Sequence, residues 1–128
     1  TSVKLINTAV QLLIGINNCK ITSISLPPTL KIIGAGAFAY SQIKDITIPA
    51  NVQIIGDQAF RSSSLKSIFF EENSLLQRIG KRAFYSSLIA SFTVPSNVET
   101  IESEAFSFCQ NLLAITFAPN GRLTKIIG

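Results

Sequence analysis

The chain has 128 residues, with 11 basic and 7 acidic side chains for a formal net charge of +4, and is 47% hydrophobic but only 14% charged. That balance is too apolar and too weakly charged for a disordered chain. No apolar run approaches the roughly 18 residues of a membrane-spanning helix, so the hydrophobic residues must be buried by folding. Histidine is absent, which removes the usual general base, the Ser-His-Asp triad and most catalytic zinc sites. The chain opens at Thr1 with no initiator methionine and no basic-apolar-small leader. It reads as a mature region or an excised piece of something longer, of a size for one domain.

Self-similarity organises the rest. Residues 1–15 match the repeat poorly and read as a degenerate coil or N-terminal cap. The first clear apolar triplet is Ile21/Ile24/Leu26, which follows Cys19, with Ile16 in the place later held by Phe. Then Ile33-Gly34-Ala35-Gly36-Ala37-Phe38 recurs as Ile55 to Phe60, Ile79 to Phe84 and Ile101 to Phe106, and begins again at Ile127-Gly128. The leading isoleucines are spaced 22, 24, 22 and 26 residues apart. Three places after each Phe stands a small residue, Ser41, Ser63, Ser87 or Cys109. Triplets follow at Ile43/Ile46/Ile48, Leu65/Ile68/Phe70, Ile89/Phe92/Val94 and Leu112/Ile115/Phe117. Proline comes after most triplets, at Pro27, Pro49 and Pro95, with Pro119 one place later.

Each triplet puts alternate apolar side chains on one face of a short strand, and the proline ends that strand because it has no N–H to donate. The segments Val52 to Ile55 and Val98 to Ile101 are long enough for a second short strand. The glycine of Ile-Gly suits a turn needing positive φ. The Ala-Phe-x-x-Ser/Cys stretch is expected to form one tight helical or 3₁₀ turn that points Phe inward. A unit of this size has no core of its own, so neighbouring units must cover one another. The prediction is a solenoid of parallel strands rising about 4.8 Å per coil, with a ladder of Phe38, Phe60, Phe84 and Phe106.

The pattern Ala-Phe-x-x-Cys/Ser-x-x-Leu-x-x-Ile-x-Ile-Pro-x-x-Val-x-x-Ile-Gly resembles the BspA-like leucine-rich repeat, over residues 16–128. The resemblance implies a leucine-rich-repeat solenoid: a right-handed curved single domain of the α/β class, mostly short parallel strands with short helical or 3₁₀ turns. It also implies a secreted or cell-surface microbial protein engaged in adhesion. Two coils depart from the shortest form, with small insertions at 70–75 and 117–123 that fall in turns. The last repeat is truncated, which points to a piece of a longer array or to an end that pairs with another chain.

The chemistry reads as non-enzymatic, without cofactor or metal. Gly34-x-Gly36-x-x-Ala39 fits a loose dinucleotide pattern, but the Gly36 place is Gln58, Arg82 and Glu104 in the sister repeats, so it is a variable turn position. Glu102 with Glu104, and Glu71 with Glu72, read as solvated turn charges, and the serines track the repeat. Cys19 and Cys109 occupy the same place four coils apart, on the order of 19 Å at the strand spacing, beyond the roughly 7 Å reach of a disulfide. They read as small apolar residues interchangeable with serine.

Recognition is expected on the outward side of the strands, with a protein partner such as a host surface or matrix protein. One row there reads Ser25, Thr47, Phe69, Thr93, Thr116; the next reads Ser23, Asp45, Ser67, Ser91, Ala114; a third reads Thr22, Lys44, Lys66, Ala90, Leu113. Phe69 and Leu113 are apolar where the repeat allows polar residues, which marks interface anchors. The chosen binding residues are Lys44, Thr47, Lys66, Phe69, Thr93 and Leu113. A basic patch of Arg61, Arg78, Lys81 and Arg82 offers the alternative of polyanion or glycan binding, and end-to-end self-assembly through the open coils is the structural alternative. Tyr40 and Tyr85, on the opposite side, are weaker candidates. Nucleic acid is not expected, since basic and aromatic residues do not interleave as a stacking surface requires.

Overall fold

A computed structural model describes residues 2–4, 12, 13, 18 and 20–128; Ile16, Cys19 and most of the segment read as a cap lie outside them. The described strands are β1 (Ser2–Lys4), β2 (Leu12–Leu13), β3 (Ser23–Ser25), β4 (Ile32–Ile33), β5 (Asp45–Ile48), β6 (Ile54–Ile55), β7 (Ser67–Phe70), β8 (Arg78–Ile79), β9 (Ser91–Val94), β10 (Thr100–Ile101), β11 (Ala114–Phe117) and β12 (Lys125–Ile126). Every pairing is parallel and joins elements of successive coils. The molecule is a parallel β-solenoid of about five turns, as the repeat predicts.

Two rows of strands line it. The even-numbered strands form one unbroken sheet in the order β12-β10-β8-β6-β4-β2, with Ile33, Ile55, Ile79 and Ile101 in register along its buried side. The odd-numbered strands pair only two by two, as β1-β3, β5-β7 and β9-β11. Where the row is joined, the residue after the strand donates to the coil before it, Glu71 N–H to the Ile48 carbonyl (3.1 Å) and Ala118 N–H to that of Val94 (2.9 Å). Pro49 and Pro95 stand at this place after β5 and β9 and have no N–H to give, so the row opens before each of those strands.

Between the two rows runs the Phe turn, expected as one helical or 3₁₀ turn: among the described residues there is no helix, and the three-residue span of a 3₁₀ turn survives only in single turns. Three overlapping turns take its place. In the Phe38 coil, Ala37 N–H donates to the Gly34 carbonyl, Ala39 to Gly36 and Ser41 to Phe38. The residues between them, Gly36, Phe38 and Tyr40, donate instead to Asp57, Ala59 and Arg61 of the next coil (2.7–2.9 Å). Alternate N–H groups thus bond within and between coils, which a helix would not permit because it spends every N–H on its own chain.

The glycine of Ile-Gly also has a different role from the one expected. Positive φ falls two residues later, at Gly36, Gln58, Arg82 and Glu104. Gly56 and Gly80 are required by close approach: a Cβ on Gly56 would stand 2.8 Å from Ala35 N, and one on Gly80 2.6 Å from Asp57 N.

The last coil is shifted by one residue from the motif's reading. Ile126, not Ile127, pairs with Ile101, because Thr124 and Lys125 N–H both bond the Glu99 carbonyl (3.0 and 3.2 Å). The tandem Ile126-Ile127 offers an isoleucine to either register, so the motif could not choose between them.

The core is continuous along the axis. Phe38, Phe60 and Phe84 are fully buried and stack with Phe106 at 5.1, 5.3 and 5.4 Å between ring centres, within 10° of parallel. Each such pair adds about 0.5–1.5 kcal/mol beyond its buried area. Ser41, Ser63 and Ser87 sit beside the ladder, all nearly inaccessible, where only a small side chain fits.

Candidate functional site

The outward side of the odd-numbered strands is the broadest polar surface. Its alternation follows from the triplets: Ile46 and Ile48 point in, while Asp45 and Thr47 point out. The β5-β7 register sets Thr47 beside Phe69 and Asp45 beside Ser67. Lys66 follows directly behind Lys44, its N–H bonded to the Lys44 carbonyl at 2.8 Å, and both ammonium groups are exposed. In the second pair of strands, the Thr93 hydroxyl meets that of Thr116 at 2.9 Å.

Phe69 stands at the centre of this face. It is 58% exposed and lines two hollows at once. One, of about 490 Å³, lies where the strand row opens between β7 and β9 and is lined by Phe69, Phe70, Ser91, Thr93 and Pro95 among others. The other, of about 300 Å³, lies toward β3 and is lined by Ser25, Asp45, Thr47 and Pro49 with Phe69 again. Glu71 borders both, and its carboxylate accepts the Ala50 N–H at 2.9 Å.

The structure therefore brings Thr47 and Phe69 together on one pair of strands, with Lys44 and Lys66 just before them, and sets Thr93 across the larger hollow. Leu113 is 90% exposed but borders neither hollow. Sequence reasoning placed Ser91 on this face without choosing it, and missed Glu71 and Pro95. The signal for them was the insertion after Phe70 together with the proline after Val94, which between them open the row.

The basic patch is less free than its composition suggests. Arg78 pairs with Asp57 (3.0 Å) and Glu102 (3.5 Å). Arg82 grips Glu104 with two bonds, 2.9 and 3.2 Å; that contact pushes the Glu104 carboxyl below its ordinary range and the Arg82 guanidinium above its own. Lys81 donates its backbone N–H to Asp57 at 2.9 Å, while its side chain is exposed and outside the described ion pairs. Arg61 has no carboxylate partner among the described ion pairs and lies between the rings of Tyr40 and Tyr85.

A family model for the BspA-type leucine-rich-repeat region matches residues 16–126 in six copies. The chain belongs to that family. Among solved structures it is similar to the pneumococcal vaccine antigen PcpA, with 24% identity, a TM-score of 0.70 and 97% of this chain covered. The chain spans 33% of the length of that protein. No curated protein matches it.

Within this BspA-type solenoid, the described residues contain no cluster of three or more metal-ligating side chains and no helix long and apolar enough to cross a membrane. Cys109 donates to the Phe84 carbonyl at 3.0 Å and touches the Ser87 hydroxyl at 3.6 Å. Burial pushes its thiol up, so it is a poor nucleophile in place. The arrangement offers recognition: an aromatic anchor, polar hydroxyls, two lysines and shaped hollows.

Proposed function

We propose that this BspA-type repeat region is a non-catalytic recognition module of a microbial cell-surface or secreted protein, and that it binds a protein partner through the outward face of its odd-numbered strands. The observation that carries the reading is Phe69, a large apolar ring more than half exposed between two hollows, in a row whose other members are Ser25, Thr47, Thr93 and Thr116. Interfaces draw most of their affinity from few aromatic or arginine anchors set in such surroundings. The likeness in fold to a vaccine antigen supports a surface location.

The test is binding of the purified chain to immobilised extracellular-matrix and host-surface proteins, at low and high salt, beside Phe69→Ser. Saturable binding that survives salt and is lost in the variant supports the reading. Binding that disappears with salt and ignores Phe69 assigns recognition to charge alone.

A further inference from the structure

The turn side of the solenoid, away from the strand face, carries a second set of recognition groups. Tyr40, Ser62, Ser86 and Phe108 occupy one position in four successive coils, and all four have positive φ, between 53 and 59°. They share one backbone conformation, so their side chains leave the solenoid in a common direction. Bulky aromatic residues seldom accept this conformation, and such outliers concentrate at binding sites. Yet the two aromatics are the ends of the row, 50% and 65% exposed, with the two serines between them.

Beside the serines lie Arg61 and Tyr85. The Arg61 guanidinium sits 5.4 Å from the Tyr85 ring centre and 5.9 Å from that of Tyr40, and Tyr85 in turn packs on Phe108 at 5.1 Å. One Arg61 nitrogen donates to the Gln58 amide oxygen (3.0 Å), while its buried Nε has no partner. Arg82 also approaches Tyr85, but its charge is held by Glu104. The strip thus has two exposed aromatic ends, a hydroxyl floor and one guanidinium with no carboxylate partner among the described ion pairs.

We propose that this strip binds an acidic polysaccharide of low charge density, in which a carboxylate-bearing sugar alternates with a neutral one. Aromatic rings stack against the C–H faces of sugar rings, serine hydroxyls match sugar hydroxyls, and the planar guanidinium fork pairs with a carboxylate. A single free guanidinium suits one carboxylate per few sugars. A densely sulfated chain would instead require several free cations, and of the patch beside Arg61, Arg78 and Arg82 are already paired, which leaves Lys81. Successive coils rise by about 4.8 Å, so the row of four positions matches a short run of an extended sugar chain laid along the axis. This site is independent of the strand face.

The experiment is calorimetric titration of the chain with a hyaluronan octasaccharide, in which glucuronate alternates with N-acetylglucosamine. A neutral N-acetylglucosamine oligomer and a heparin octasaccharide run in parallel. Hyaluronan is expected to bind saturably, at least about tenfold more tightly than the neutral oligomer, and Arg61→Gln is expected to weaken it about tenfold. Phe108→Ser gives this coil the residue type that Ser62 and Ser86 supply in its sisters. It should weaken binding several-fold with at most a slight fall in thermal unfolding from the lost Tyr85 contact, and Phe69→Ser should leave binding intact. No saturable hyaluronan binding overturns the proposal, as does equal affinity for the neutral oligomer. Heparin binding that exceeds hyaluronan's and survives Phe108→Ser overturns it too, since that is attraction of a polyanion to a basic protein.

Discussion

The backbone of Gly80 lies so close to Asp57 of the preceding coil that an added Cβ would stand 2.6 Å from both the Asp57 amide nitrogen and a carboxylate oxygen. Backbone cannot give way as a side-chain tip can. Gly80→Ala is therefore expected to destabilise by about 2–4 kcal/mol, at or beyond the upper end of core overpacking, and Gly56→Ala to behave alike. Gly36→Ala meets open space and costs only the strain of positive φ, about 1 kcal/mol. Urea unfolding of the three variants checks the order.

The Phe ladder predicts a gradient along the axis. Phe60 has a stacked neighbour on each side and no exposed surface, whereas Phe106 is only partly buried. Phe60→Ala should cost about 3–5 kcal/mol through lost transfer and the cavity left behind. Phe106→Ala should cost less, because solvent already reaches that site. Chemical denaturation midpoints at constant m-value distinguish the two.

The small-residue row beside the ladder separates partnered from orphaned hydroxyls. Ser41 Oγ is buried without a hydrogen-bond partner, so Ser41→Ala should be neutral or slightly stabilising. Cys109→Ser should stay within about 1 kcal/mol, since Ser63 and Ser87 already fill that place in other coils. In a Cys19→Ser background, the Cys109 thiol should react slowly with a disulfide reagent when folded and rapidly in denaturant.

The Arg82–Glu104 contact fixes the sign of one pH effect. The Glu104 carboxyl is held below its ordinary 4.5 in the folded chain, chiefly by the hydrogen bond from Arg82. Its stabilising contribution is therefore present above pH 4.5 and is lost as the pH falls through the lower folded value. The pair is solvent-exposed, so the effect is small. Glu104→Gln should slightly lower stability near neutrality, flatten the fall on the acid side, and match the native chain once Glu104 is protonated.

How much of this was legible in the sequence differs from element to element. The coils, both strand rows and the Phe ladder follow from spacing, because apolar residues at fixed intervals can be buried in only one stacking. The turn conformation was not legible: Ala-Phe-x-x-Ser fits a helical turn equally well, and only the alternation of bonds within and between coils excludes it. The glycine of Ile-Gly signals a special position without saying whether conformation or close approach requires it. Phe69 stood out as an apolar residue in a polar row. The hollows beside it did not, since they arise from an insertion and a proline acting on different coils. The strip from Tyr40 to Phe108 was half visible: its tyrosines could be named, but the shared positive φ that aligns them with Ser62, Ser86 and Phe108 cannot be read from residue types.

The most direct measurement is the affinity of one saturable protein ligand for the native chain, for Phe69→Ser and for Phe108→Ser. An anchor at Phe69 predicts a loss of about tenfold or more in the first variant, the scale of an interface hot spot, with the affinity of the second unchanged and both close to the native chain in stability. Full affinity in Phe69→Ser would contradict recognition through the strand face.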